Sequence, residues 1–173
     1  FDGPTDGPNA AEGKTIVVLA ADLKNGGILG VTNGVEEAAA KIGWTVRVLD
    51  GAGSVQGRTG AFGQAMALQP DGIIINGFDA VEQQAALDQA VAAKIPLVSW
   101  HSGPKIGCDA PGGIFANVST DAMTLSEEAA KRSVYDSGGA PGVEIFTDST
   151  YKIANDKADR IKETVEAMGG TVL

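Results

Sequence analysis

A chain of 173 residues has room for one α/β domain, or for one and the opening of another. Its formal net charge of -9 argues against nucleic acid or an anionic membrane surface as partner, since both require basic patches. A 43% hydrophobic composition supplies an ordinary core, and no run approaches the roughly 18 apolar residues of a membrane span. The single cysteine, Cys108, excludes an intrachain disulfide framework, and the chain opens at Phe1 without a signal peptide, as a processed start would.

Residues 1–14 are rich in Gly, Pro and Asp, with Asp-Gly-Pro at 2–4 and again at 6–8, and read as an extended lead-in without a core. Thr15–Ala20 is a short, continuous apolar run rich in β-branched residues, the pattern of a strand covered on both faces. A polar turn holding Asp22 and Asn25 leads into a helix whose apolar positions are Ile28, Val31, Val35, Ala38 and Ile42. Gly43 stops it, and Trp44–Leu49 returns as a second strand, completing a right-handed β-α-β unit.

Ser54 is placed to cap a helix reaching Leu68, and Ile73–Ile75 form a third strand. Asp79 and Glu82 have the spacing of a capping box at the head of a helix ending near Ala93. Ile95–Ser99 is the fourth strand, residues 102–113 a loop carrying Cys108, Ile114–Asn117 the fifth strand, and Ser119–Tyr135 a helix. Val143–Phe146 opens a new strand, Ala154 to Met168 marks a final helix, and Thr171–Leu173 begins one more strand. The alternation predicts a doubly wound α/β fold with a parallel sheet in the order 2-1-3-4-5. It also predicts that the chain belongs to a longer parent.

In such sheets ligands gather beyond the carboxyl ends of the strands, at the switch point between the first and third. That rule brings together Asn25 after the first strand, Asn76, Phe78 and Asp79 after the third, and Trp100 and His101 after the fourth. Aromatic faces cover C–H surface while amides and carboxylates satisfy hydroxyls, so the set suits a small polar or polyol-like solute. Each has a structural alternative. Asn25 and Asp79 can cap helices, Asn76 needs partners wherever it is buried, Trp100 can be core, and a lone histidine can be an ordinary satisfied polar group.

Other chemistry finds little support. His101 is the only histidine, with no Ser or Cys at a diagnostic spacing, so a nucleophile triad is not indicated. No ligand cluster suits zinc or calcium, and Gly51–Gly57 is not a dinucleotide fingerprint, so neither metal nor cofactor is expected.

The order of several segments resembles the type I periplasmic solute-binding proteins, the ribose-binding type of sugar ABC-transporter receptor. The segments are the strand-turn-helix Thr15–Ile42, Lys41–Asp50, Gln69–Asn76, Ala93–Val98, Asn117–Asp121, Ala154–Ile161 and Gly169–Leu173. The resemblance implies a bilobal receptor, with residues 15–118 most of the first α/β lobe and 119–173 the start of a similar second one. It implies hinge closure on a sugar- or polyol-like solute, no enzymatic activity, and presentation to a membrane permease from the periplasm or a cell-surface anchor. By analogy between lobes, Asp148, Ser149 and Tyr151 face the cleft, although Asp148 or Ser149 suits a helix cap as well. The chain departs from the family where sugar binders carry aromatic pairs (here Gly26, Gly27, Ile28), an Asp-Arg pair (here Trp100, His101, Ser102) and an Arg (here Asn155, Asp156, Lys157). Two other readings stay open: the effector-binding core of a transcriptional repressor, and a small flavodoxin-like enzyme.

Overall fold

The computed structural model describes residues 6–103, 105–149 and 151–173; the first Asp-Gly-Pro of the lead-in lies outside them. Strand β1 (Thr15–Ala20) is buried along nearly its whole length, as its unbroken apolar run requires. Helix α1 (Gly26–Lys41) returns the chain to β2 (Thr45–Asp50), and α2 (Val55–Leu68) leads to β3 (Gly72–Asn76). A 3₁₀ turn (Ala80–Gln83) precedes α3 (Gln84–Ala92) and β4 (Leu97–Trp100). Then follow β5 (Gly107–Ala110), β6 (Ile114–Val118), α4 (Ala122–Asp136), β7 (Gly142–Val143), α5 (Lys152–Ala167) and β8 (Thr171–Val172).

The main sheet runs β2-β1-β3-β4-β6-β5, parallel except for β5, which pairs antiparallel with β6. Parallel neighbours share a face, so Val17 and Leu19 align with Ile73, Ile75 and Leu97. That row forms one buried cluster with Phe62 and Ala65 of α2 and Leu87 and Ala90 of α3. On the other face, α1 lies against β1 to β3 through Ile28 and Thr32. Gly77 is indispensable at the end of β3. Its φ is +84°, and a Cβ there would stand 2.6 Å from Ile28 Cγ1.

A second, two-stranded sheet pairs β7 with β8 in parallel, and α4 packs on α5 beside it. Ala130, Val134 and Val165 form its separate small core.

Four expectations are corrected. Residues 102–113 are not all loop: Gly107–Ala110 adds an antiparallel edge strand beyond the expected five. Asp79 does cap, accepting from the Val81 amide at 3.1 Å, but Glu82 does not reach back to it. Glu82 bonds Arg58 instead, and the segment opens as a 3₁₀ turn. The helix expected from Ser119 begins at Ala122, with Asp121 accepting from the Met123 and Thr124 amides. The strand expected over 143–146 pairs only at Gly142–Val143, and Phe146 is 91% exposed.

Candidate functional site

Four segments converge beyond the carboxyl ends of β1, β3 and β4: the turn before α1, residues 77–79, residues 100–103, and the start of α5. Between them lie two hollows that share Gly77, His101, Tyr151 and Ile153. The larger, about 310 Å³, is bordered by Asn25, Trp100, His101, Asp148, Tyr151 and Lys157. The smaller, about 110 Å³, is bordered by Arg58, Phe78, Asp79, Glu82, Tyr151 and Lys152, among others. Only the larger falls within the range of small-molecule sites, which starts near about 300 Å³. A hollow of about 370 Å³ at the amino-terminal end of the sheet has mostly apolar walls, including Trp44, Ile74, Pro96 and Val98. Its charged groups, Lys14 and Asp71, are already paired at 2.8 Å, so little there would orient a polar ligand.

Seven of the eight expected site residues border one of the two strand-end hollows. The exception is Asn76. It is fully buried and its amide nitrogen donates to the Ile28 carbonyl and to Thr32 Oγ1, both at 3.0 Å. Asn76 therefore ties β3 to α1. Asn25 caps α1, its Oδ1 accepting from the Gly27 and Ile28 amides at 2.9 and 3.2 Å, while it borders the larger hollow. Its two readings coexist. Phe78 is buried under the smaller hollow, and Asp79 combines its capping bond with a place on the rim.

Trp100 and His101 are set edge to face, with centroids 4.4 Å apart and planes at 82°. The histidine has a left-handed backbone (φ +48°), which turns its ring out of the sheet and into both hollows. Its Nδ1 lies 3.0 Å from Ser119 Oγ. That contact was not expected from sequence spacing, yet it does not make a triad. A triad base is oriented by a carboxylate, whereas the charge acting on His101 is the Lys157 cation.

Burial first, and then Lys157, hold the His101 pKa below its ordinary 6.5, so the ring is neutral at pH 7. Between that lowered value and about 6.5 the unfolded chain binds more protons than the folded one, so stability falls as pH falls through this window. His101→Asn, which tolerates the left-handed backbone, should therefore shrink the drop in melting temperature between pH 7 and pH 5. Equal drops in both proteins would contradict this account of His101.

Tyr151 faces His101 from the start of α5. Burial foremost, then the Asp22 and Asp148 carboxylates, raise its pKa, so its hydroxyl stays protonated and can both donate and accept. Asp148 is exposed on the rim and its carbonyl accepts from the Tyr151 amide at 3.1 Å.

Three supporting residues escaped sequence reasoning. Ser102 Oγ donates to the Trp100 carbonyl at 2.8 Å and accepts from the Gly77 and Phe78 amides, stitching the ends of β3 and β4 together. Asn117 accepts from Ser99 Oγ at 2.8 Å and donates to the Gly103 and Lys105 carbonyls, which fixes the loop after His101. Arg58 is 2% exposed and shares the buried stripe of α2 with Ala61, Phe62 and Ala65. A lone cation on that stripe was the available signal. Burying a charge costs several kcal/mol unless it is paired. Among the described residues, no group of His, Cys, Asp or Glu is arranged to hold a metal ion.

Residues 16–171 match the family model of the periplasmic binding protein domain. The chain belongs to this family. No curated protein is significantly similar to it in sequence. Among solved structures, this periplasmic-binding-protein chain superposes on an ABC sugar transporter subunit from Rhodobacter sphaeroides with a TM-score of 0.76 at 20% identity. The match covers 94% of this chain and 56% of that one. A solute-binding protein from Agrobacterium vitis, solved with bound allitol, matches at TM-score 0.76 and 16% identity, over 95% of this chain and 55% of that one. A periplasmic sugar-binding protein from Legionella pneumophila gives 0.79 at 15% identity, over 92% and 59%. The type I periplasmic binding fold anticipated from the sequence is thus the fold observed, and the chain spans little more than half the length of these proteins.

Proposed function

We propose that this chain is the main part of a periplasmic solute receptor of an ABC transporter, which captures a sugar- or polyol-like solute and performs no chemistry on it. The observation that carries this reading is the larger hollow. Trp100 and His101, from the end of β4, face Asp148, Tyr151 and Lys157 across about 310 Å³, where ring faces alternate with hydroxyl-satisfying groups. Family membership and neighbours whose descriptions name sugars or allitol support it. In this reading residues 15–118 form most of one lobe and 119–173 the opening of the second. Solute shifts a pre-existing open–closed equilibrium, and the closed form is what a membrane permease engages.

The junction between the lobes then passes through Val118–Thr120. It touches the site directly, since His101 donates its amide to the Val118 carbonyl at 3.2 Å and its ring meets Ser119. Calorimetry of the intact protein with allitol, D-tagatose and L-arabinose tests capture, and small-angle scattering tests closure. The radius of gyration should fall on saturation, with the dihedral change concentrated in Val118–Thr120. An unchanged scattering profile at saturating solute would sink the clamshell.

A further inference from the structure

Arg58 is the fourth residue of α2, and its side chain runs beneath the turn after β2 to the wall of the smaller hollow. Its Nη2 donates to Glu82 Oε2 at 2.6 Å, and its Cζ stands 5.4 Å from the centroid of the Phe78 ring. Its Nε and Nη1 are buried and have no hydrogen-bond partner in the protein. The Glu82 side chain remains 28% exposed and borders the same hollow. Two unused donors therefore lie within this wall, beside a carboxylate acceptor that reaches the hollow.

The charges around this wall decide what fits. Arg58 is paired with Glu82, and Lys152 with Asp156 at 2.5 Å, which leaves Asp79 as the surplus charge of the rim. A carboxylate or phosphate would meet that negative surplus. A neutral hydroxyl meets none of it, and it accepts from a guanidinium N–H while donating to a carboxylate oxygen. Two hydroxyls on adjacent carbons would use both Arg58 donors and Glu82 at once. With about 110 Å³ the hollow takes a short hydroxylated arm, whose ring or chain continues past Tyr151 into the larger hollow.

We infer that the Arg58–Glu82 pair is a specificity determinant that reads a vicinal diol on a neutral solute. This rests on the solute-receptor reading above, and it adds the subsite and the chemistry selected there. Charged sugar acids should bind more weakly because they meet the surplus negative charge of the rim, and solutes lacking the diol should bind more weakly because they leave the two Arg58 donors without acceptors.

The test is calorimetry on the intact protein with allitol, D-tagatose and L-arabinose, followed by the monodeoxy analogues of whichever probe binds. Three proteins are compared: wild type, R58K, and the R58M/E82M double variant, which keeps the pair's volume and its neutrality. The double variant should bind the parent probe at least tenfold more weakly, while one deoxy analogue, lacking a hydroxyl of the diol, binds it and wild type alike. R58K should fall between, since it keeps the charge and loses the planar fork. Unchanged affinity in a double variant of normal melting temperature would overturn the inference, leaving the guanidinium to solvent. An equal loss for the parent and every deoxy analogue would overturn it too, making the pair a support for Phe78. Wild-type protein that binds none of the three probes would instead remove the receptor reading itself, and this inference with it.

Discussion

Gly57→Ala should destabilise the protein by about 3 kcal/mol, whereas Gly60→Ala and Gly63→Ala, in the same helix, should each stabilise it by about 0.5–1 kcal/mol. Gly57 lies in the first turn of α2, its amide bound to the Ser54 cap, and Gly60 and Gly63 lie in the helix interior. A Cβ on Gly57 would collide with the Gly51 carbonyl oxygen, a contact with backbone that no rotamer change relieves. Gly51 cannot easily retreat, because its amide is bound to the Ala20 carbonyl at 2.8 Å and Arg58 Cγ fills the space where a Cβ on it would stand. The close approach seats α2 on the turn after β2 and so aims Arg58. At Gly60 and Gly63 a Cβ meets nothing within 4 Å, and the gain comes from the restricted unfolded chain. Urea denaturation of the three single variants decides the matter. Gly57→Ala within the scatter of wild type, or losses at all three positions, would show that α2 does not sit as described.

Trp100→Ala should weaken solute binding by roughly 2 kcal/mol, about thirtyfold, as the loss of a central aromatic anchor does. The indole borders the larger hollow and packs against the main core, with His101 standing edge-on to it. Its ring atoms come within 3.8 Å of where a Cβ would stand on Gly27 or on Gly77, so the surrounding backbone is shaped to the ring. Removing it takes away an apolar face for C–H surface and the wall that orients His101. Trp100→Phe keeps a face and should recover most of the affinity. Calorimetry with a bound probe, read beside the melting temperature of each variant, separates the site from the core. A folded alanine variant with wild-type affinity would return Trp100 to a purely structural role.

Elements whose physics is local were legible in the amino-acid sequence. The unbroken apolar runs of β1 and β3 dictated strands buried on both faces, and their alternation with helices dictated the doubly wound order 2-1-3-4 that the sheet adopts. Ser54, Asn25 and Asp79 announced their helix or turn starts because a cap bonds an amide two or three residues away. Topology alone placed Trp100 and His101 at the carboxyl end of a strand, and the resemblance between lobes placed Tyr151 opposite them; all three border one hollow. What depended on distant partners was decided only by the tertiary structure. Glu82 had the spacing of a capping box, but a guanidinium 24 positions earlier outcompeted a backbone amide for its carboxylate. Asn76 was drawn from the site into a bond with a carbonyl 48 positions away, since its buried amide nitrogen takes the acceptors that pack on it. Gly107–Ala110 carries no β-branched residue and became a strand only because β6 offered it an edge. Arg58 carried a charge on an apolar stripe, yet its partner and its two unused donors existed only once α2, the 3₁₀ turn and α5 had come together.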